Sequence, residues 1–118
     1  MFECPKKELF TYKRRGVKIQ CIAKQFYRDA LELLDSFDFT VCQATYDGVR
    51  VVLTHDMIRS VKSKELAINR ITYPVASINR LFKYRERGYK VTEQTLVEMV
   101  QQISGQQFDD EKLALYID

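Results

Sequence analysis

The stretch FDFTVCQATYDGVRVVLT, residues 37–54, restricts the fold of this chain more than any other segment. Phe37, Phe39 and Val41 alternate with Asp38, Thr40 and Cys42, a period of two that puts alternate side chains on opposite faces of a strand. Aromatic and β-branched residues, which fit a pleated surface, fill both arms. Between the arms lies Asp47-Gly48, a favoured hairpin turn because glycine takes positive φ without a steric penalty. Val49 to Leu53 is the expected return strand.

Other elements can be placed around this hairpin. Leu9, Phe10 and Tyr12, then Val17, Ile19 and Cys21, form two strand-like runs separated by Arg14-Arg15-Gly16, which predicts a second hairpin. RDALELLDS, residues 28–36, predicts a short amphipathic helix with Leu31 and Leu34 on one face and Asp29 in its first turn, where the helix dipole favours an anion. Thr54 is suited to cap a helix over HDMIRSVK, with Met57, Ile58 and Val61 inward. LAINRI, residues 66–71, reads as a further strand. Pro74 holds Tyr73 extended and suits a first helical position. In PVASINRLFKYRERG the apolar stripe of Val75, Ile78, Leu81 and Phe82 is expected inward, and Gly88 is the expected stop. Thr92 caps a last long helix with Leu96, Met99, Val100 and Ile103 inward and Gly105 at its end. The tail QQFDDEKLALYID predicts one acidic turn or helix. Strands come early and helices collect late, which predicts an α+β domain. Its small mixed or antiparallel sheet would have about four to five strands backed by about four helices. One domain over residues 1–118 is expected, with a flexible acidic tail over 106–118.

Composition excludes several classes. No run of about 18 apolar residues is present, so no transmembrane helix is expected. The start, MFECPKKELF, lacks the apolar core of a secretory signal, and a cytoplasmic location is the expectation. Three cysteines, Cys4, Cys21 and Cys42, show no CxxC spacing. Cys21 and Cys42 lie in apolar runs and read as small buried hydrophobes in a reducing compartment. His55 is the single histidine, so neither a Ser/His/Asp nor a Cys/His arrangement can be assembled from spacing, and a zinc site would need more ligands. The four glycines stand alone at turns or helix ends and form no phosphate loop.

The net charge of +3 hides a strong zoning. Residues 1–30 carry eight basic and three acidic groups, and residues 61–90 carry eight and two; residues 31–60 and 91–118 are acidic on balance. Arg80, Lys83 and Arg87 recur at i, i+3 and i+7 on one helical face, and Lys90 extends the zone. Together with Lys13, Arg14, Arg15 and Lys18 they form a candidate nucleic-acid-binding set, because cations release the counterions condensed on a polyanion. Tyr84 and Tyr89 are candidates to stack on bases. The alternative is a solvated surface whose charges neutralise one another, with both tyrosines tucked against the core. Asp38 is a separate candidate. A carboxylate between two phenylalanines faces either a cleft, where it can hold Mg²⁺ or act as a base, or solvent.

The pieces VKIQCIAK, LELLDSFDFTVCQATYDG and ELAINRITYPVASINRLFKYRERGYKV, in that order over residues 17–91, resemble the C-terminal half of a nucleotidyltransferase-fold family met in phages and prophages. The resemblance implies that Asp38 stands where that fold carries its third metal-binding carboxylate. The Gly-Ser loop and the Asp-x-Asp pair of such transferases have no counterpart in residues 1–36. The expectation is therefore a degenerate relative that lacks catalysis and cofactor and binds RNA, DNA or a protein partner through its basic face. The competing expectation is a Mg²⁺-dependent transferase subunit completed by another chain, with Asp38 as a metal ligand. A third is an interaction module that forms a homodimer by docking the acidic segment 106–118 on the basic face of a second copy.

Overall fold

The computed structural model describes residues 9–23 and 25–115. Strands β1 (Leu9–Arg14) and β2 (Val17–Ile22) lead to helix α1 (Ala30–Asp35), and a 3₁₀ turn (Thr40–Cys42) follows. Next come strands β3 (Ala44–Tyr46) and β4 (Val51–Leu53). Helices α2 (His55–Ser63), α3 (Pro74–Glu86), α4 (Glu93–Ser104) and α5 (Asp110–Leu113) complete the order. The α+β class expected from the sequence is the one found. Among the described residues the four strands form two separate antiparallel hairpins rather than one sheet.

In the first hairpin Arg14 pairs with Val17, leaving Arg15 and Gly16 as a two-residue loop. Both have positive φ, 51° and 78°, the signature of a primed turn whose twist matches its strands. In the second hairpin Tyr46 pairs with Val51, so the loop is four residues rather than two. Asp47 holds it by accepting hydrogen bonds from the backbone N–H groups of Val49 and Arg50, both at 2.8 Å. These two bonds favour the ionised form and hold the Asp47 carboxyl below its ordinary value of 3.8.

The expected strand over 37–42 is cut short. Phe39 forms an antiparallel bridge with Ile68, and the chain then tightens into the 3₁₀ turn. LAINRI does not form the expected strand and contributes only the bridge at Ile68. It is tied by Thr40 N–H to the Ala67 carbonyl at 3.0 Å and by Leu66 N–H to the Lys90 carbonyl at 2.9 Å. The core gathers on this crossing: Phe39, Leu66, Ile71, Leu81 and Met99 are buried, with Val41, Cys42, Ile68, Tyr84, Tyr89, Val91 and Ile103 packed around them.

Each long helix is turned differently from its apolar stripe. On α2 the buried residue is Ser60, while Ile58 and Val61 are exposed. Along α3 Ala76, Ser77 and Leu81 are buried, whereas Ile78 and Phe82 are exposed at 40% and 55%. In α4 Thr95 and Met99 are buried, whereas Leu96 and Val100 face outward. The reason is a hydroxyl anchor on each helix. Ser60 bonds Thr40 at 2.5 Å, Ser77 bonds Asp38 at 2.8 Å, and Thr95 donates to the Leu66 carbonyl at 2.6 Å. All three anchors land on the segments that cross at Phe39.

The end of α3 follows the sequence closely. Gly88, at φ 96°, donates to the Arg85 carbonyl at 3.0 Å, and Tyr89 N–H donates to the Tyr84 carbonyl at 3.1 Å. This is a Schellman cap, and its usual apolar contact is the Tyr84–Tyr89 edge-to-face pair, 5.6 Å between centroids. A Cβ at Gly88 would meet nothing within 4 Å, so the position is restricted by backbone conformation alone. Gly88→Ala is therefore expected to cost about 1–2 kcal/mol, read as a lower urea midpoint with an unchanged slope. A second expectation concerns pH. Because the Asp47 carboxyl is depressed in the folded state, its contribution is complete above pH 3.8 and is lost as pH falls through the folded value. Asp47→Ala should remove that part of the acid sensitivity in a comparison of pH-dependent unfolding.

Candidate functional site

The carboxylate singled out in the sequence lies at the centre of the molecule. Asp38 is 8% exposed and faces neither an open cleft nor bulk water. Its Oδ1 accepts from Phe39 N–H at 3.0 Å and from Arg80 Nη1 at 3.1 Å. Its Oδ2 accepts from Ser77 Oγ at 2.8 Å and from the same Arg80 nitrogen at 3.2 Å. The Asp38 carbonyl accepts from Asn69 N–H at 2.7 Å and Arg70 N–H at 3.3 Å. One residue thus joins the 3₁₀ segment, the 66–71 crossing and α3. Among the described residues no group of three or more His, Cys, Asp or Glu side chains is placed to hold a metal ion.

Energetics explain why α3 turns toward this carboxylate. Ile78 and Phe82 are 40% and 55% exposed, so burying what remains would yield only about 0.5–1.5 kcal/mol each. A buried carboxylate deprived of its cation costs about 3–5 kcal/mol, and Ser77 and Arg80 lie three residues apart on one helical face. Turning that face inward satisfies Asp38 and leaves Ile78 and Phe82 outside. Arg80 is therefore drawn out of the expected basic stripe, with 31% of its side chain exposed.

The remaining members of that stripe diverge. Lys83 is half-buried, and Arg87 is exposed with its guanidinium 5.4 Å from the centre of the Tyr84 ring. Exposed Lys90 uses its backbone to donate to the Lys64 carbonyl at 2.7 Å. Tyr84 lies edge-on to Phe39 at 5.9 Å and bonds Cys42 Sγ at 2.9 Å, so it belongs to the rim of the core. Burial first, and the Cys42 hydrogen bond second, push its phenol above the ordinary value of 10.0. The Tyr89 ring is covered by Lys64 Nζ at 5.0 Å. Lys13, Arg14, Arg15 and Lys18 are brought together, all exposed, at the tip of the β1–β2 ribbon.

The cysteines and histidine complete the placement. Cys21 is exposed on β2, not buried as expected, because the ribbon has no core beneath it. Cys42 is half-buried, and Cys4 lies outside the described residues. His55 is exposed at the start of α2, after its cap Thr54. Sequence reasoning missed an amide clamp opposite Asp38. Gln102 accepts from Ile71 N–H at 2.8 Å and donates to the Asn69 carbonyl at 3.1 Å. Gln106 donates to the Ile71 carbonyl at 2.6 Å. Their i, i+4 spacing, and that of Ser77 and Arg80 at i, i+3, were the available signals.

The Asp38 network should behave as a structural unit. Asp38→Ala is expected to cost about 2–4 kcal/mol, below the range for fully buried pairs because Arg80 keeps part of its side chain in water. In a double-mutant cycle with Arg80→Ala, urea unfolding should show a coupling above about 1 kcal/mol.

Comparison with known proteins bears on this site. A family model described as "Gabija anti-defense 2 family protein" matches residues 4–64, just over half of the chain. A curated protein of Bacillus phage SPbetaL7, "Gabija anti-defense 2", is 31% identical over 98 residues, which is 80% of this chain and 24% of that protein. The chain thus spans about a quarter of the length of the curated relative it matches. No solved structure matches. These matches overturn the nucleotidyltransferase resemblance: they point to a different family, and the metal-ligand role that the resemblance implied for Asp38 falls with it. From β1 through α2, across the Asp38 segment, the match to the family model shows that this chain belongs to the Gabija anti-defense 2 family.

Proposed function

We propose that the chain works by binding, and that its partner is a protein component of the host defence named in its family's description. The observation that carries this reading is the amount of apolar surface that the fold leaves uncovered. Ile78 and Phe82 on α3, and Leu96, Val97 and Val100 on α4, are 40% to 65% exposed. Ile78 and Phe82, and Leu96 and Val100, each stand four residues apart on one face of their helix, and an exposed apolar helix face suits a protein contact. The carboxylate best suited to chemistry is meanwhile engaged by Ser77 and Arg80. A phage anti-defense protein that acts on a defence protein needs a complementary surface rather than a reaction.

A second reading follows from the cations. Lys13, Arg14, Arg15 and Lys18 with Lys83, Arg87 and Lys90 would meet phosphates, and RNA or DNA would be the partner. The aliphatic side chains Ile78, Leu96, Val97 and Val100 add little to a phosphate contact, which favours the protein partner.

The test is size-exclusion chromatography of the purified chain mixed with purified Gabija defence proteins at micromolar concentration. Co-elution with one of them is expected. Separate elution of every component at that concentration contradicts the reading.

A further inference from the structure

The β1–β2 ribbon is the part of the molecule that the core does not explain. From Thr11 to Ala23 every described residue is exposed except half-buried Gln20. Residues directly opposite in an antiparallel pair share a face. Tyr12 stands opposite Ile19, Arg14 opposite Val17, and Cys21 lies two residues beyond Ile19 on the same side. One face is therefore largely apolar, with Tyr12, Val17 and Ile19 exposed at 44%, 59% and 50%. Thr11, Lys13, Lys18 and Gln20 occupy the other, with Ile22 at its base, so that face is polar toward the tip. A bare two-stranded ribbon is marginal in water and gains stability when its apolar face is covered.

Charge says what covers it. Lys13 and Lys18 are directly opposed across the strands, a like-charge pair that destabilises the ribbon by itself. Arg14 and Arg15 add to the same tip, and the sequence has no acidic residue between Leu9 and Arg28. A second copy's ribbon carries the same cations and repels this one. Nucleic acid would neutralise the cations but leave the apolar face bare. An acidic protein surface with an apolar centre answers both demands.

We infer that the ribbon is the docking element of this chain, and that it fits an apolar patch rimmed by carboxylates on the defence protein. This rests on the binding reading above and adds to it the element and the chemistry of the partner surface. The tip steers the encounter, and the apolar face holds the complex once formed.

The test is biolayer interferometry of the full chain against purified Gabija proteins at low and high salt. Variants are the tip reversal Arg14→Glu with Arg15→Glu, and Ile19→Thr, which keeps a β-branched shape suited to the strand. Arg59→Glu on α2 serves as a control. Far-UV circular dichroism and melting temperature follow the fold of each. The tip reversal should slow association about tenfold or more and remove most of its salt dependence; Ile19→Thr should speed dissociation about tenfold. The control should bind as the wild type does. Wild-type affinity in both ribbon variants overturns the ribbon inference and leaves the binding reading intact. No complex with the wild type removes both. A ribbon variant that loses only self-association in sedimentation, or a tip reversal that loses only binding to duplex DNA, overturns the inference in favour of a second copy or nucleic acid.

Discussion

The ion pair between Asp38 and Arg80 decides how the rest of the chain is arranged. A carboxylate placed between two phenylalanines follows Phe39 into the interior, and it cannot stay there unpaired. Arg80 and Ser77 meet it from α3, and the Asp38 carbonyl holds the 66–71 segment from the other side. The orientation of α3 follows, and with it the exposure of Ile78 and Phe82. Polar satisfaction at the centre thus leaves apolar area at the surface.

The same logic recurs at the other helices on a smaller scale. Ser60 on Thr40 and Thr95 on the Leu66 carbonyl fix α2 and α4 by hydroxyl contacts to the crossing at Phe39. A buried hydroxyl without its partner is costly, so each bond selects one rotation of its helix. The consequence is a small core under three specifically seated helices, with Leu96, Val100 and Phe82 outside. Surface of this kind suits a chain that covers, or is covered by, another polypeptide. The β1–β2 ribbon adds exposed surface, basic at its tip, that the core does not support.

Much of the local structure was legible in the sequence, and the reason is chemical. Arg15-Gly16, Thr54, Pro74, Gly88 and Thr92 act through their own backbone conformation or a nearest-turn hydrogen bond, so no tertiary information is needed to read them, whereas the turn at Asp47-Gly48 was located but is two residues longer than expected. Helix faces were less legible. Hydrophobic periodicity placed Val75, Ile78, Leu81 and Phe82 inward on α3; Leu81 is buried as expected, but Ile78 and Phe82 are not, because the periodicity cannot see a carboxylate 39 residues away in the chain from Ser77. Asp38 was correctly marked as unusual for its place among phenylalanines. Its role needed the identity of its partners, and the nucleotidyltransferase resemblance supplied the wrong ones. Cys21 was misread because an apolar run on a strand implies burial only when a core lies beneath it.

Amide hydrogen exchange of the free chain tests the whole account in one measurement. If the Asp38 crossing is the centre of stability and the ribbon is unsupported, the amides of Leu66, Asn69 and Ser77 should exchange only through global unfolding. Those of Thr11 to Ile22 should then open locally and exchange orders of magnitude faster. Equal protection of the ribbon and the crossing, or fast exchange at Asn69, would contradict it.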